Sequence, residues 1–304
     1  MLALPTLFIE QLRPLLPNGE LEDFMGALNT PPPVSIRFNP KKKLELVVFE
    51  QNLGLHTEPV AWHTEGVYLD ERPIFTLDPS FHAGAYYVQE ASSMFIAEAL
   101  KQHVDFQENI KILDLCAAPG GKSTLLAALM SDDSFLLANE VIKSRVDILK
   151  ENIIKWGQPN VYVSNHDPED FAALNGFFDV VLVDAPCSGE GMFRKDPQAA
   201  QEWSPEAVLT CSARQKRILT HAQNLVKSGG FLLYSTCTYN EFENEKNADF
   251  ILENADFQPL TIKLVSDWKI SKLNYGYQFF PHKTKGEGFY LSLFQKKGKK
   301  ILTE

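Results

Sequence analysis

From about residue 108 onward, short apolar segments alternate with segments of amphipathic helical pattern, and this alternation limits the folds open to the chain. The segment 179–184 has four consecutive apolar residues between two aspartates, as in a strand that is buried on both faces. The alternation predicts an α/β fold with a doubly wound, Rossmann-like parallel sheet and helices on both of its faces. Strands are expected at 110–114, 134–140, 161–163, 179–184 and 230–235, and helices at 122–130, 142–156 and 241–252.

The first 105 residues follow a mixed pattern. It predicts helices at 7–16, 21–28 and 89–100 and a half-buried strand at 34–38. We therefore divide the chain into a smaller N-terminal α+β domain, residues 1–105, and a doubly wound domain, residues 106–304. In the helix at 142–156, the buried face is expected to carry Val146, Leu149, Ile153 and Ile154.

Composition excludes several classes of protein. The 304 residues include 29 Lys and Arg against 39 Asp and Glu, a net charge of −10, and no apolar stretch reaches membrane-spanning length. The N-terminus lacks a basic, cleavable leader, so we expect a cytoplasmic protein with no membrane span. Four widely spaced cysteines without a Cys-x-x-Cys pair argue against a disulfide framework or a metal site. The acidic balance disfavours tight binding to naked RNA unless a basic cleft lies on one face.

A glycine-rich turn follows the first strand of the doubly wound region, which is where such folds bind ligands. Residues 114–122 read Asp-Leu-Cys-Ala-Ala-Pro-Gly-Gly-Lys, and the two glycines allow close approach of the backbone to a ligand. The end of this segment, with Ser123, is similar to the end of a P-loop. A P-loop also needs a glycine five positions before Gly121, and that position is Cys116, so an NTPase is disfavoured.

Glu140, Asp167 and Asp184 stand at or just after three predicted strand ends. Because the carboxyl ends of parallel strands meet at one edge of a sheet, we expect these acids to form one rim with the glycine turn. An acid about 20 residues beyond the turn, here Glu140, commonly binds ribose hydroxyls, and Asp167 could lie near an adenine edge. An adenosyl cofactor with a cationic sulfonium suits this acidic rim better than a dinucleotide that carries phosphates.

Two cysteines also follow predicted strands: Cys187 in Asp-Ala-Pro-Cys and Cys237 in Ser-Thr-Cys-Thr. Both can reach the same crevice. A thiolate can add to carbon 6 of cytosine, which activates carbon 5 toward a methyl donor, and Asp184 could reach the edge of the base. These features suggest covalent methylation of a cytosine. For Cys116 and Cys211, a small core residue is the ordinary interpretation.

These segments resemble the NOL/NOP/Sun family of RNA cytosine carbon-5 methyltransferases, most of all its bacterial 16S ribosomal RNA members of types F and B. The resemblance covers most of the chain. It rests on residues 33–40 around Arg37, 89–93, 114–122, 184–191, 194–197, 234–238, 243–245, 281–282 and 286–290.

The resemblance implies a class I methyltransferase domain preceded by a family-specific, RNA-binding domain. It implies that Cys237 is the nucleophile and that Cys187 assists product release, whereas DNA cytosine methyltransferases use the Pro-Cys cysteine as nucleophile. Asp184 is expected to position the base. The cofactor implied is S-adenosyl-L-methionine, bound by Cys116, Ala117, Ala118, Pro119, Gly120, Gly121, Lys122, Glu140, Asp167 and Asp184.

The expected substrate is 16S ribosomal RNA, naked or within the 30S subunit, and the enzyme is expected to be a monomer; transfer RNA is the rival substrate. A non-catalytic RNA-binding assembly factor is disfavoured because both cysteines and Asp184 are intact. A methyltransferase for exocyclic amino groups usually has Asn/Asp-Pro-Pro-aromatic where this chain has Asp-Ala-Pro-Cys. Members of type F usually carry a further RNA-binding domain, and this chain stops at Glu304. A truncated chain, a natural short form and reliance on the assembled subunit all remain open.

Overall fold

The structure is a computed structural model that describes residues 2–17 and 19–298. The strands are β1 Val34–Phe38, β2 Thr57–Pro59, β3 Gly66–Leu69, β4 Tyr86–Val88, β5 Lys111–Asp114, β6 Phe135–Asn139, β7 Val161–Ser164, β8 Phe178–Asp184, β9 Val226–Thr236, β10 Phe257–Pro259, β11 Ser271–Lys272, β12 Gly276–Phe279 and β13 Phe289–Lys296. The helices are α1 Thr6–Leu12, α2 Glu20–Leu28, α3 Leu46–Leu53, α4 Pro79–His82, α5 Phe95–Lys101, α6 Gly121–Leu129, α7 Lys143–Trp156, α8 Pro197–Glu202, α9 Pro205–Leu225 and α10 Glu245–Asn254. Short 3₁₀ turns lie at Arg13–Leu15, Phe75–Leu77, Ser92–Met94, Pro168–Leu174, Glu190–Met192 and Ser266–Trp268.

The larger sheet has the order β11-β12-β13-β9-β8-β5-β6-β7, with β10 beside β13. Strands β5 to β9 are parallel, which confirms the predicted doubly wound sheet, whereas β13 runs antiparallel to β9. Helices α5 and α6 pack on one face of the sheet, and α9 and α10 pack on the other. Because both faces are covered, Val180 to Val183 in β8 are fully buried.

Strand β5 pairs with β6 on one side and with β8 on the other. The chain therefore winds outward in both directions from β5. In open α/β sheets this change of direction leaves a crevice at the carboxyl ends of the strands, where ligands bind.

The smaller sheet has the order β2-β3-β1-β4 and is antiparallel throughout. The expectation of a half-buried β1 is wrong, because the strand is buried from Ser35 to Phe38. The helix expected at 89–100 also begins later, as a 3₁₀ turn at Ser92–Met94 that leads into α5. The reason is that Gln89 continues the sheet, donating its backbone N–H to the carbonyl oxygen of Ser35 at 3.2 Å.

Arg37 connects the smaller sheet to the helix that follows the glycine turn. Its guanidinium is fully buried and donates to Gln89 Oε1 at 2.8 Å, to Thr124 Oγ1 at 2.7 Å and to the Gly121 carbonyl oxygen at 3.3 Å. It also stacks over Trp156, 4.4 Å from the ring centroid. Burial lowers the pKa of Arg37 to about 9. The N-terminal region therefore helps to hold the first turn of α6.

Replacing Arg37 by alanine should cost about 2–3 kcal/mol of unfolding free energy, because it leaves the buried Gln89 Oε1 without its donor and removes the guanidinium that packs on Trp156. The control is Arg72→Ala, which removes an exposed arginine and should change the stability by about 0.5 kcal/mol or less. Urea unfolding at neutral pH measures both variants. Equal midpoints for the two variants would show that Arg37 is not a structural link.

Candidate active site

A cavity of about 930 Å³ lies at the carboxyl ends of β5, β6, β8 and β9. Six of the residues predicted from the sequence line it: Cys116, Ala118, Glu140, Asp184, Cys187 and Cys237. A second cavity, of about 820 Å³, lies between the smaller sheet and α7, and Pro119 is the one predicted residue in its lining. The predicted site residues therefore cluster around the first cavity, which is the candidate active site.

The glycine turn is held between the sheet and the N-terminal region. Ala117 donates its N–H to the carbonyl oxygen of Asn139 at 2.8 Å, which joins the turn to the end of β6. Gly120 precedes α6 with a φ of +112°, a conformation that side chains other than glycine rarely adopt. A Cβ on Gly121 would lie 3.2 Å from the Tyr87 ring. The structure thus gives both glycines a role in shaping the turn and does not place them in the cavity lining.

Glu140 is buried just after β6, with a carboxylate oxygen accepting the Ile142 N–H at 2.8 Å. Arg145, a residue that the sequence analysis missed, stands 3.4 Å from the other Glu140 oxygen and donates to the Ala118 carbonyl oxygen at 2.6 Å. The neighbouring side chains of Val141 and Ile142 are half exposed and line the same cavity. An acid beside an apolar surface suits a ligand that combines a hydroxylated ring with a flat base.

Asp167 does not line the cavity itself. Its two carboxylate oxygens each accept a hydrogen bond from Arg217, both at 2.9 Å, and Arg217 lines the cavity from α9. The Arg217 hydrogen bond is the main cause of the lowered pKa of Asp167. A ligand that used Asp167 would therefore have to share this carboxylate with Arg217 or displace it.

Asp184 connects α6, the helix after the glycine turn, to the end of β9, the strand that precedes Cys237. One of its oxygens lies 2.7 Å from Lys122 Nζ, and the other accepts the Ser235 hydroxyl at 2.8 Å. Burial alone would lower the pKa of Lys122, but the Asp184 carboxylate raises it above its usual value. Lys122 thus remains cationic beside the cysteines, although it does not line the cavity.

The sulfur atoms of Cys187 and Cys237 are 3.1 Å apart. The Cys237 backbone N–H also donates to the Cys187 sulfur at 3.4 Å. The hydrogen bond with Cys237, together with burial, raises the pKa of Cys187 well above its ordinary value. Cys187 therefore keeps its proton at neutral pH, and the pair can act as a thiol donor next to a second sulfur.

Asp114, at the end of β5, is a further acid that the predicted site did not include. It is fully buried, and Ser123 donates to its Oδ2 at 2.6 Å. Within residues 2–17 and 19–298, its Oδ1 has no hydrogen-bond partner. Burial raises the pKa of Asp114 from 3.8 to about 7. Its position at the first residue of the glycine-rich segment was the available sequence signal.

Comparisons with known proteins agree with this arrangement. The fold resembles the solved structure of PH0851, with a TM-score of 0.87 and 29% identity over 96% of this chain and 66% of that one. It also resembles a methyltransferase homolog protein from Pyrococcus horikoshii, with a TM-score of 0.78 and 27% identity over 96% of this chain and all of that one. The sheet order and the position of the cavity define a Rossmann-like, class I methyltransferase fold.

A family model described as 16S rRNA methyltransferase RsmB/F matches residues 101–295. A second, for the N-terminal domain of 16S rRNA methyltransferase RsmF, matches residues 4–91. The chain belongs to the RsmB/F methyltransferase family. It is 35% identical to ribosomal RNA small subunit methyltransferase F of Pectobacterium atrosepticum over 97% of this chain, and it spans 63% of that relative's length.

Asp114→Asn should be similar in stability to the wild type near pH 4, gain on it steadily as the pH rises to about 7, and keep a constant advantage above that. The folded wild type binds a proton at Asp114 up to about pH 7, whereas the unfolded chain loses it near pH 3.8. The wild type therefore loses stability as the pH rises from 3.8 to about 7, and asparagine removes that loss. Thermal unfolding without cofactor at pH 4, 5, 6, 7 and 8 measures the difference. The exposed Asp132→Asn serves as the control, and a pH-independent offset in Asp114→Asn would contradict the assignment.

Proposed function

We propose that this chain is an S-adenosylmethionine-dependent RNA methyltransferase that forms 5-methylcytidine in 16S ribosomal RNA through a covalent cysteine–cytosine adduct. The observation that carries the proposal is the 3.1 Å contact between the Cys187 and Cys237 sulfurs in the cavity that Glu140 also lines. The names of the family and of the curated relative support ribosomal RNA as the substrate. The curated relative is bacterial, and bacterial ribosomal RNA is made and folded in the cytoplasm, so the proposal places the protein there.

The residues of the cavity fit the adenosyl cofactor. Glu140 has a carboxylate oxygen that Arg145 approaches only to 3.4 Å, so it can accept from a ribose hydroxyl. Val141 and Ile142 offer an apolar surface for a purine ring. The Oδ1 of Asp114, which has no hydrogen-bond partner in the described part of the chain, is a buried acceptor beside the glycine turn. The acids Glu140 and Asp184 favour a cationic sulfonium over a phosphate. When bound, the cofactor supplies an electrophilic methyl group.

In the proposed reaction Cys237 is the nucleophile. Its thiol proton passes to water, and the thiolate forms a bond to carbon 6 of the cytosine. The electron pair displaced from the carbon 5–carbon 6 double bond makes carbon 5 electron-rich enough to take the methyl group. Asp184, held by Lys122 and Ser235, positions the base edge, and the Lys122 cation beside it offsets the negative charge that develops on the ring. Loss of the carbon-5 proton to a base then restores the double bond and breaks the bond to Cys237. Because Cys187 keeps its proton beside that sulfur, it can stabilise the leaving thiolate.

Methyl transfer from labelled S-adenosylmethionine should appear on one cytosine of 16S RNA in unmethylated 30S subunits or naked 16S RNA, and not on bulk transfer RNA. Cys237→Ala should abolish both transfer and the adduct, because carbon 6 has no nucleophile. Cys187→Ala should accumulate a denaturation-resistant protein–RNA adduct, because release slows. Bisulfite mapping and denaturing gels measure these results.

Turnover by Cys237→Ala would show that the nucleophile has been wrongly assigned. Label confined to transfer RNA would contradict the ribosomal substrate while leaving the chemistry intact. Intact activity of Cys187→Ala without an adduct band would reduce Cys187 to a structural residue.

Glu140→Ala should weaken cofactor binding by about 10-fold or more, because it removes a charged acceptor worth roughly 1.5–3 kcal/mol. Glu151→Ala is a suitable control, since Glu151 is an exposed acid on α7 outside this cavity. Calorimetric titration of each variant with the cofactor gives the affinities. Equal affinities for wild type and Glu140→Ala would remove Glu140 from the cofactor site.

A further inference from the structure

Two buried carboxylates, Glu190 and Glu243, lie behind the cysteine pair. Their exposed fractions are 1% and 0%. Among the residues that the structure describes, neither carboxylate forms an ion pair with a lysine, arginine or histidine. Buried acids without a cation are costly unless several neutral donors satisfy them. The donors that satisfy these two acids therefore indicate what the acids are for.

Glu190 follows Cys187 in the chain, but its carboxylate binds the loop that carries Cys237. Its Oε2 accepts the backbone N–H of Tyr239 at 2.8 Å and that of Asn240 at 3.0 Å, as well as the Thr238 hydroxyl. These three donors directly follow Cys237. Glu190 thus fixes the backbone of the nucleophile's loop from the other side of the pair.

Glu243 makes the reciprocal connection. It follows Cys237 in the chain and accepts both the backbone N–H of Ser188, at 2.9 Å, and the Ser188 hydroxyl, directly after Cys187. Asn240 joins the two acids, because its Nδ2 lies 3.0 Å from Glu190 Oε1 and 2.8 Å from Glu243 Oε1. Burial raises the pKa of Glu243.

One backbone contact completes the connection between the two loops. Gly191 donates its N–H to the Cys237 carbonyl oxygen at 2.8 Å. A Cβ on Gly191 would come within 2.9 Å of that oxygen, so glycine is required for this approach. Each cysteine loop is therefore held by groups that belong to the other loop.

We propose that Glu190 and Glu243 are positioning residues that set the separation of the Cys187 and Cys237 sulfurs, and that product release depends on them more than nucleophilic attack does. The inference rests on the proposed function. Of the two cysteines, only Cys237 takes part in the attack, whereas release needs both sulfurs at the correct separation. In release, the carbon-5 proton goes to water and its electron pair forms the carbon 5–carbon 6 double bond. The electron pair of the breaking carbon–sulfur bond goes to Cys237, where the Cys187 thiol stabilises it by a hydrogen bond.

The test compares Glu190→Gln and Glu243→Gln with Trp203→Phe. A glutamine at 190 keeps one oxygen acceptor but turns an NH₂ group toward the Asn240 and Trp203 donors, which breaks the connection between the loops. Trp203→Phe removes the indole donor from the same Glu190 carboxylate, at 3.0 Å, and leaves the contacts to the Cys237 loop intact. It therefore controls for simple loss of a buried hydrogen bond.

Both glutamine variants should lose about 10–100-fold in kcat, because a displacement of about 1 Å in a catalytic group can cost 10²-fold. The steady-state fraction of denaturation-resistant adduct should rise severalfold, as in Cys187→Ala. The KM for the cofactor should stay within about twofold, since neither acid lines the cavity. Trp203→Phe should keep the wild-type adduct fraction. All assays are run well below each variant's melting temperature.

A second readout needs no RNA. In chains that carry Cys116→Ser and Cys211→Ser, dibromobimane should bridge the two remaining thiols, and mass spectrometry separates bridged from singly labelled protein. The bridged yield should fall severalfold in both glutamine variants and stay unchanged in Trp203→Phe. If the wild type methylates no RNA but the bridged yield still falls in both glutamine variants, the result would support the positioning role and reject the proposed function. An unchanged yield with a wild-type adduct fraction would overturn the positioning role.

Discussion

The parallel pairing of β8 with β9 is the constraint on which the site depends. Asp184 and Ser235 lie opposite each other in this pairing, and the Ser235 side chain donates to Asp184 at 2.8 Å. The two strands leave the sheet at the same edge and in the same direction. Cys187 follows three residues after Asp184 and Cys237 two residues after Ser235, so their side chains meet. A shift of one residue in the pairing would turn alternate side chains to the opposite face and separate the sulfurs.

The site concentrates acids where water is scarce, and three buried ones have no cation partner among the residues that the structure describes. Asp184 has Lys122, but Asp114, Glu190 and Glu243 rely on hydrogen bonds from neutral donors. Burial raises the pKa of Asp114 and of Glu243, so folding must work against the charge of both groups. Such an arrangement costs stability, and proteins keep it where it preorganises a functional site. In the positioning role proposed above, the cysteine pair is the group that these acids hold in place.

The sequence was sufficient to predict the parallel strands, because strands buried on both faces are apolar along their whole length. The segment 179–184 is the clearest case, and the strand extends over it as expected. The pattern was less informative for α7, where Ile154 was expected on the buried face but is 76% exposed, while Trp156 is buried instead. The helix expected to begin at residue 241 begins at Glu245, because Glu243 and its neighbours serve the cysteine loops.

Motif spacing predicted which residues would line the cavity better than it predicted what surrounds them. Cys187, Cys237, Glu140 and Asp184 were brought together because strand ends in a parallel sheet share an edge. The contacts of Arg217 from α9 could not be foreseen, because they depend on how a helix distant in sequence packs over that edge. The position of a residue does not by itself give its role in the reaction, and the activities and affinities of the variants measure that role.

The distribution of charge bears on how RNA would reach this cavity. A groove of about 840 Å³ near the closing segment is lined by the cations Arg72, Arg194, Lys195 and Lys285. Arg194 and Lys195 lie 3.0 and 3.9 Å from Glu287, and Lys285 is paired with Glu58. Phosphate contacts supply much of the affinity for nucleic acid, so a groove in which three of these four cations are paired with acids should bind an RNA backbone weakly and with a shallow salt dependence.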